Sequence, residues 1–129
     1  MSMVMDGRGV DSKTVKRFEI WEADLGYRER SIQGGKRPVL VISNNIGNKY
    51  APIVIVVPIT SKLKNPSQPT HVFFDSDECG MADDSILLCE QIMTINKEEN
   101  LLRKLFDIPR HYNDEITRAL GVSIGMVNY

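Results

Sequence analysis

The sequence predicts a small, mainly β-barrel domain with a C-terminal α-helix. Short apolar segments recur along the chain between loops, and no long helical pattern separates them. Two of these segments, residues 39–42 and 53–57, are continuous aliphatic runs, which are typical of strands buried on both faces. From about residue 112 the apolar spacing becomes that of a helix, which completes the predicted fold class.

The strands can be assigned in chain order. Residues 18–25 alternate between apolar and polar side chains, which predicts a short, edge-like first strand. The two aliphatic runs are the second and third strands, and residues 44–48 between them are rich in the residue types that form turns. Further strands are predicted at residues 72–74, 85–89 and 101–106.

The C-terminal segment has the features of an amphipathic helix. Asp114 and Glu115 lie in the predicted first turn, where the helix dipole favours acidic side chains. Gly121 costs about 1 kcal/mol relative to alanine in a helix interior, so a bend or an end is expected there. The apolar positions at helical spacing are Tyr112, Ile116, Leu120, Ile124 and Val127.

Length and composition indicate one globular domain. A chain of 129 residues with 42% hydrophobic and 26% charged residues can bury a core without disulfides or metals. The longest apolar runs are too short to span a membrane, and residues 1–14 lack the pattern of a signal peptide. We therefore expect a cytoplasmic protein with a flexible N-terminal extension at 1–15 and a folded domain at 16–129. Cys79 and Cys89 lack metal-ligand spacing and are expected to be reduced.

Charge is segregated along the chain although the net charge is only −1. Residues 28–64 carry seven lysines and arginines and one acid, a local charge of +6. Residues 65–96 carry six acids and no lysine or arginine, a local charge of −6. Two interpretations remain open: a basic groove beside an acidic face, or solvated loops that neutralise each other.

Residues 33–38, Gln-Gly-Gly-Lys-Arg-Pro, are the most informative stretch because they place an arginine where a loop becomes a strand. Pro38 restricts Arg37 to an extended backbone, and the following strand fixes its position. An always-charged guanidinium on a rigid mount suits phosphate recognition. The third strand ends in Pro58-Ile59-Thr60-Ser61, which supplies hydroxyl groups. We expect these two strand ends to meet in a single site.

The order of these motifs resembles the MazF/PemK family of bacterial toxin ribonucleases, from about residue 17 to residue 129. The resemblance implies a compact SH3-like (PemK/CcdB-like) β-barrel that forms a homodimer. It also implies cleavage of single-stranded RNA at short sequences with no metal or cofactor, and inhibition by an acidic, partly disordered, MazE-like antitoxin. The matching motifs are Gln-Gly-Gly-X-Arg-Pro-Val, Ile46-Gly47-Asn48, Pro58-Ile59-Thr60-Ser61, Pro69-Thr70-His71-Val72, Glu90-Gln91-Ile92 and the terminal helix.

This resemblance assigns roles to specific residues. A ribonuclease that uses the substrate 2′-OH must stabilise the charge of a phosphorane, and the permanently charged Arg37 answers that need. Because the pKa of its guanidinium lies far above neutrality, Arg37 is a poor proton shuttle. Thr60 matches a catalytic threonine and can donate to a phosphate oxygen. From the residues alone, Arg37 also fits a surface arginine at a strand end, and Thr60 fits ordinary strand propensity. The expected RNA-binding residues are Gln33, Gly34, Gly35, Lys36, Ser61, Lys62, His71 and Gln91.

Some of these residues also fit purely structural roles. His71 fits a strand-edge residue, and Gln91 fits a buried hydrogen-bonding residue. The chain also departs from the family pattern at two places. Ile32 stands where relatives often have a glutamate before Gln-Gly-Gly, and Arg17-Phe18-Glu19 stands where arginine, glycine and aspartate are common. The general acid and base and the RNA sequence specificity are therefore left unassigned.

Three other functions fit parts of the sequence. Histidine-based RNA cleavage would need His71 and His111 to cooperate, although they share no motif. A CcdB-like toxin would bind gyrase through the same barrel. A single-stranded RNA-binding module without catalysis would use aromatic residues near the basic stretch, such as Tyr27 and Tyr50, to stack on bases.

Overall fold

The structure, a computed structural model, describes residues 13–62 and 67–128, and these form a curled antiparallel sheet with short helices. The strands are β1 (Glu19–Asp24), β2 (Lys36–Val41), β3 (Ile53–Thr60), β4 (His71–Phe74), β5 (Ser85–Leu88), β6 (Met93–Asn96) and β7 (Leu101–Asp107). The helices are α1 (Asn45–Tyr50), α2 (Ser76–Cys79), α3 (Lys97–Asn100) and α4 (Asn113–Ser123), with a 3₁₀ turn at Arg110–Tyr112. The predicted mainly β fold with a C-terminal helix is confirmed.

The sheet has the strand order β4-β5-β3-β2-β1-β7, and β6 pairs with β3 beside this path. Strand β3 changes partner along its length: Val56 pairs with Met93 of β6, whereas Ile59 pairs with Leu87 of β5. Pro58 lies between these two pairings, where the missing N–H is tolerated. The result is a small barrel-like sheet in which β4 and β7 end the path without joining.

Two hydrophobic cores lie on opposite sides of this sheet. Successive side chains of a strand point to opposite faces, so Leu40 packs in one core while Val39 and Val41 pack in the other. The first core includes Ile20, Phe74 and Ile116 and is covered by α4. The second core is built by residues such as Trp21, Val54, Ile95 and Leu101. Residues 39–41 of β2 are buried on both faces, as the aliphatic run predicts. The run at residues 53–57 fits this prediction only in its second half, because Ile53 and Ile55 of β3 are 48% and 38% exposed.

Two local predictions were wrong. The first strand is not at an edge, because β1 lies between β2 and β7. Residues 45–50 form α1 and not a simple turn, because the Asn44 side chain accepts a hydrogen bond from Gly47 N at 2.8 Å and caps a short helix. Asparagine is favoured both in turns and at helix N-termini, so its presence in the sequence does not distinguish a turn from a short helix.

Gly121 lies inside α4, which continues to Ser123. A Cβ at position 121 would lie 2.7 Å from Val127 Cγ2, and Met126 N donates to Gly121 O at 2.7 Å. The glycine therefore lets the chain fold back onto the helix after Gly125, which has a φ of +80°. Val127, predicted to lie within the helix, packs against it from this returning segment.

The predicted N-terminal extension falls mostly outside the described residues, and its boundary at residue 15 stays a prediction. Within the described part, Lys13 Nζ donates to Glu98 O at 2.7 Å and Val15 is buried in the second core. No helix within residues 13–62 and 67–128 is long and apolar enough to cross a membrane. Cys79 and Cys89 are both buried free thiols, and burial raises the pKa of the Cys89 thiol to about 12.

Candidate active site

A cleft of about 830 Å³ lies where the loop before β2, the end of β3 and the segment after α2 come together. Part of β7 closes one side through Arg103, Leu105 and Phe106. The cleft gathers residues that are far apart in sequence because β3 is hydrogen-bonded to both β2 and β5. Seven of the ten predicted site residues line it: Gln33, Gly34, Lys36, Arg37, Thr60, Ser61 and Lys62.

Arg37 is held by backbone carbonyl groups. Its Nε donates to Gly34 O at 2.8 Å, and its Nη1 lies 3.4 Å from Ile59 O. Partial burial lowers the pKa of the guanidinium from its ordinary value. Within the described residues, no carboxylate lies at ion-pair distance from Arg37. The cleft thus contains a fixed, partly dehydrated positive charge that pairs with no carboxylate of residues 13–62 and 67–128, which suits it to attract a phosphate.

Thr60 lies at the end of β3 beside Arg37. Val39 pairs with Pro58, and continuing this antiparallel register brings Arg37 opposite Thr60. Thr60 Oγ1 accepts a hydrogen bond from Lys62 N at 3.1 Å, which uses a lone pair and leaves the hydroxyl hydrogen for another acceptor. The side chain is only 4% exposed and faces the cleft. The guanidinium of Arg37 and the hydroxyl of Thr60 therefore line the same cleft, as expected from the two strand ends.

Glycines close the base of the loop that carries Gln33. Leu25 N donates to Gly35 O at 2.9 Å, and Gly35 N donates to Gly26 O at 2.8 Å. Gly26 and Gly35 have φ values of +68° and +74°, a region that favours glycine. A Cβ at Gly34 would lie 2.7 Å from Gly26 O, so a side chain at this position would displace the backbone. Gly34 lines the cleft, whereas Gly35 does not.

Gln91 and His71 do not line the cleft. Gln91 Oε1 accepts from Gln33 N at 2.8 Å, and its Nε2 donates to Ser31 O at 2.9 Å, so this side chain fixes the loop from behind. His71 is buried on β4, with Nε2 3.1 Å from Glu90 Oε2. Gln91 acts as a positioning residue in this geometry, and direct RNA contacts by either side chain stay predictions.

The wall opposite the loop is formed by residues 80–85, which the sequence analysis did not assign to the site. This wall is anchored at α2: the Tyr112 hydroxyl donates to Glu78 Oε1 at 2.6 Å, and Asp84 Oδ1 accepts from Ser76 N at 2.9 Å. Most acids of the predicted acidic stretch therefore serve as caps and hydrogen-bond acceptors. Asp83 is the carboxylate among the described residues that reaches the cleft lining.

The cleft is strongly basic. Among the described residues that line the cleft, five are lysine or arginine and one, Asp83, is acidic. Arg30 and Arg103 were not predicted; Arg103 comes from β7 and also bonds Glu22 Oε1 at 3.1 Å. Ile32, in place of the expected glutamate, is half exposed at the rim. Of the two charge interpretations, the basic groove fits this geometry.

The two histidines are not brought together at the cleft. His111 Nε2 lies 3.4 Å from Glu78 Oε1, while His71 pairs with Glu90. Neither imidazole lines the cleft, so the geometry offers no histidine pair for RNA cleavage there. In the part of the chain that the structure describes, no group of three or more histidine, cysteine, aspartate or glutamate side chains could hold a metal ion.

Comparison with known proteins agrees with this architecture. Endoribonuclease EndoA of Bacillus subtilis is 40% identical over 115 residues, which cover 89% of this chain and 98% of the relative. The fold matches a crystal structure of MazF from Deinococcus radiodurans with a TM-score of 0.73 at 20% identity, covering 88% of this chain and 99% of that one. It also matches an endoribonuclease in complex with its cognate antitoxin from a mycobacterial species, with a TM-score of 0.70 at 26% identity, covering 88% and 97%.

The sequence also matches a family model over most of its length. Residues 16–124 match the model described as PemK-like, MazF-like toxin of type II toxin–antitoxin systems. The match spans every strand and helix given above for the described residues 13–62 and 67–128. The chain therefore belongs to the PemK-like, MazF-like family of type II toxin–antitoxin toxins.

Proposed function

We propose that this toxin is a sequence-specific, metal-independent endoribonuclease that cleaves single-stranded RNA, with Arg37 and Thr60 as its catalytic residues. The observation that carries the proposal is the meeting of the Arg37 guanidinium and the Thr60 hydroxyl in one basic cleft. The relative from Bacillus subtilis, named as an endoribonuclease, supports the same activity.

The reaction follows from the chemistry of RNA. The substrate 2′-OH loses its proton and forms a bond to the adjacent phosphorus, and the bond from phosphorus to the 5′-oxygen breaks as that oxygen gains a proton. Negative charge develops on the non-bridging oxygens in between. Arg37 stabilises this charge, and Thr60 donates a hydrogen bond to one of these oxygens. The products are a 2′,3′-cyclic phosphate and a free 5′-hydroxyl.

The direct test is incubation of the purified protein with a long single-stranded RNA, followed by sequencing of the fragment 5′ ends. We expect cuts at one short recurring sequence. RNA that is bound but left whole would identify a binding module and contradict the proposal. A parallel assay of DNA gyrase supercoiling tests the CcdB-like alternative, for which we expect no inhibition.

Cleavage is expected to persist in excess EDTA. The proposed charge stabilisation comes from Arg37 and Thr60, and no cluster of metal-ligating side chains lies in the described residues. The measurement compares the initial rate after dialysis against EDTA with the rate after adding Mg²⁺, Mn²⁺ or Zn²⁺. Loss of activity with recovery by one divalent ion would overturn the metal-independent mechanism.

RNA affinity is expected to fall with increasing salt. Each neutralised phosphate contributes a slope of about −0.7 in a plot of log affinity against log salt for a single strand. The Lys36→Glu/Lys62→Glu double variant should flatten this slope, because both lysines line the cleft. Lys49→Glu is the matched control, since Lys49 lies on α1 outside the cleft lining. A slope unchanged by the cleft substitutions would exclude these lysines as phosphate contacts.

We infer that the basic cleft also binds the antitoxin. An acidic, MazE-like antitoxin segment would compete with RNA for the uncompensated cations of the cleft. The chain is further proposed to act as a homodimer in the cytoplasm. Sedimentation of the purified toxin, alone and with its antitoxin, measures the assembly, and a toxin that remains monomeric at assay concentration would contradict the dimer.

A further inference from the structure

A second concave surface lies on the other side of the loop from the cleft. This groove, of about 590 Å³, is lined by Asp24, Gly26, Tyr27 and Arg28, and by residues 34–36. Gly34 and Lys36 line both the groove and the cleft, so the two cavities share an edge. A single-stranded RNA that leaves the cleft across this edge would enter the groove directly.

Tyr27 is the most exposed large hydrophobic side chain among the described residues. It is 86% exposed and stands in the loop directly after Gly26. An aromatic ring left in water at the rim of a basic groove is the usual platform on which an unpaired base stacks. Its exposure is not needed for the fold, because the loop is closed by the bonds between Gly26 and Gly35 and by Gln91.

Arg28 and Lys36 supply positive charge to the same groove. Arg28 Nε donates to Leu25 O at 3.0 Å, and its aliphatic stem packs against Gly34, where a Cβ would lie 3.0 Å from Arg28 Cγ. The bond to Leu25 O holds the guanidinium through Nε, and the terminal nitrogens remain as further donors. No carboxylate within the described ranges lies at ion-pair distance from Arg28 or Lys36.

Asp24 is the acid of the groove, and one of its oxygens is already engaged. Asp24 Oδ1 accepts a hydrogen bond from Gly26 N at 2.9 Å. The other oxygen remains an acceptor for the exocyclic amino group of adenine, cytosine or guanine, whereas uracil has no amino group and offers only its ring N3–H. A stacking ring, two cations and a directed acceptor together match one nucleotide.

We propose that this groove is a subsite for a nucleotide of the same RNA strand, outside the scissile step. The base stacks on Tyr27, the adjoining phosphate lies between Arg28 and Lys36, and Asp24 favours a base with an amino group. This inference rests on the proposed function only in taking single-stranded RNA as the ligand. An acidic peptide is less suited to the groove, because it would bring carboxylates towards Asp24.

The test uses the full chain and a series of oligonucleotides around the mapped cut site, lengthened by one nucleotide at a time at either end. Extension into the groove should raise the wild-type kcat/KM by about 5- to 150-fold, the equivalent of stacking one base. Tyr27→Ala should lose this gain while cutting the shortest substrate at the wild-type rate. Tyr27→Phe should keep it, because the ring is retained. Tyr50→Ala, which removes a 74% exposed tyrosine outside the groove, should also keep it.

Base preference at the added position provides a second readout. Asp24→Asn keeps an oxygen for Gly26 N but presents an amino group in place of the free acceptor, so the preference should shift from amino-bearing bases towards uracil. An unchanged preference would remove Asp24 from the subsite.

A binding experiment separates this inference from the proposed function. It measures the affinity of the protein for the same series of oligonucleotides, each with a single deoxyribose at the cut position so that it is not cleaved. A length-dependent gain in affinity that requires Tyr27, without cleavage of the all-ribose strands, would support the subsite and refute the nuclease. A gain that persists in Tyr27→Ala would overturn the subsite. Tyr27→Ala could instead lose binding to an acidic antitoxin peptide while its RNA binding stays unchanged. That result would also overturn the subsite and would assign the groove to a peptide.

Discussion

An RNA strand with a single deoxyribose 5′ to the scissile phosphate is expected to resist cleavage completely. The substitution removes the 2′-OH, which is the proposed nucleophile, but keeps every phosphate charge that interacts with the basic cleft. The modified strand should therefore bind with nearly unchanged affinity and act as a competitive inhibitor of the all-ribose strand. The measurement compares cleavage rate, Kd and inhibition constant for the two strands.

A matched control places the deoxyribose one nucleotide further along the strand, where cleavage should proceed at the normal site. Mass spectrometry of the all-ribose products should show a 2′,3′-cyclic phosphate or 3′-phosphate on one fragment and a 5′-hydroxyl on the other. Cutting of the modified strand at the original bond would mean that water or a protein side chain attacks the phosphorus. The roles given to Arg37 and Thr60 would then have to be replaced.

Arg37→Ala is expected to slow cleavage by roughly 30- to 1,000-fold. This range corresponds to about 2–4 kcal/mol, by analogy with the loss of one preorganised donor at a developing oxyanion. The reason is structural: Arg37 is fixed by Gly34 O and Ile59 O and points an unneutralised charge into the cleft. The measurement is single-turnover cleavage, which reports the chemical step separately from product release.

Two controls separate catalysis from folding in this experiment. Arg118→Ala removes an exposed arginine of α4 and should leave the rate unchanged. Arg37→Lys keeps the charge but loses the planar fork that reaches two carbonyl groups, so it should recover only part of the rate. Each variant is compared at matched thermal stability. A near-normal rate for Arg37→Ala with the fold intact would remove this residue from the catalytic machinery.

Local sequence patterns predicted the parts of this protein that depend on neighbouring elements. Arg37 and Thr60 lie at the ends of consecutive strands, and the antiparallel pairing of β2 with β3 suffices to bring them together. The aliphatic runs likewise predicted both strands, although burial on both faces holds for residues 39–41 and not for Ile53 and Ile55. Gln91, interpreted from sequence as a buried hydrogen-bonding residue, does make two hydrogen bonds to the loop, but its side chain is only half-buried.

Parts of the site that depend on distant pairing could not be predicted in the same way. Arg103 reaches the cleft because β7 pairs with β1, some 80 residues earlier in the chain. No local sequence pattern predicts that β7 pairs with β1. Strand β6 is only four residues long, and its pairing with β3 decides its conformation. The wall at residues 80–85 depends on the Tyr112 contact with Glu78, which joins elements 34 residues apart. Such contacts are properties of the assembled fold.

The pairing of β1 with β7 also determines when, during synthesis of the toxin, its cleft can form. Synthesis proceeds from the N-terminus, and the cleft includes residues as late as Phe106 in a chain of 129. Until β7 emerges from the ribosome, β1 has one neighbour only, and one side of the cleft is missing. A partly translated chain therefore carries Arg37 and Thr60 without the enclosed site around them. An enclosed cleft therefore forms only after β7 has been synthesised and has paired with β1.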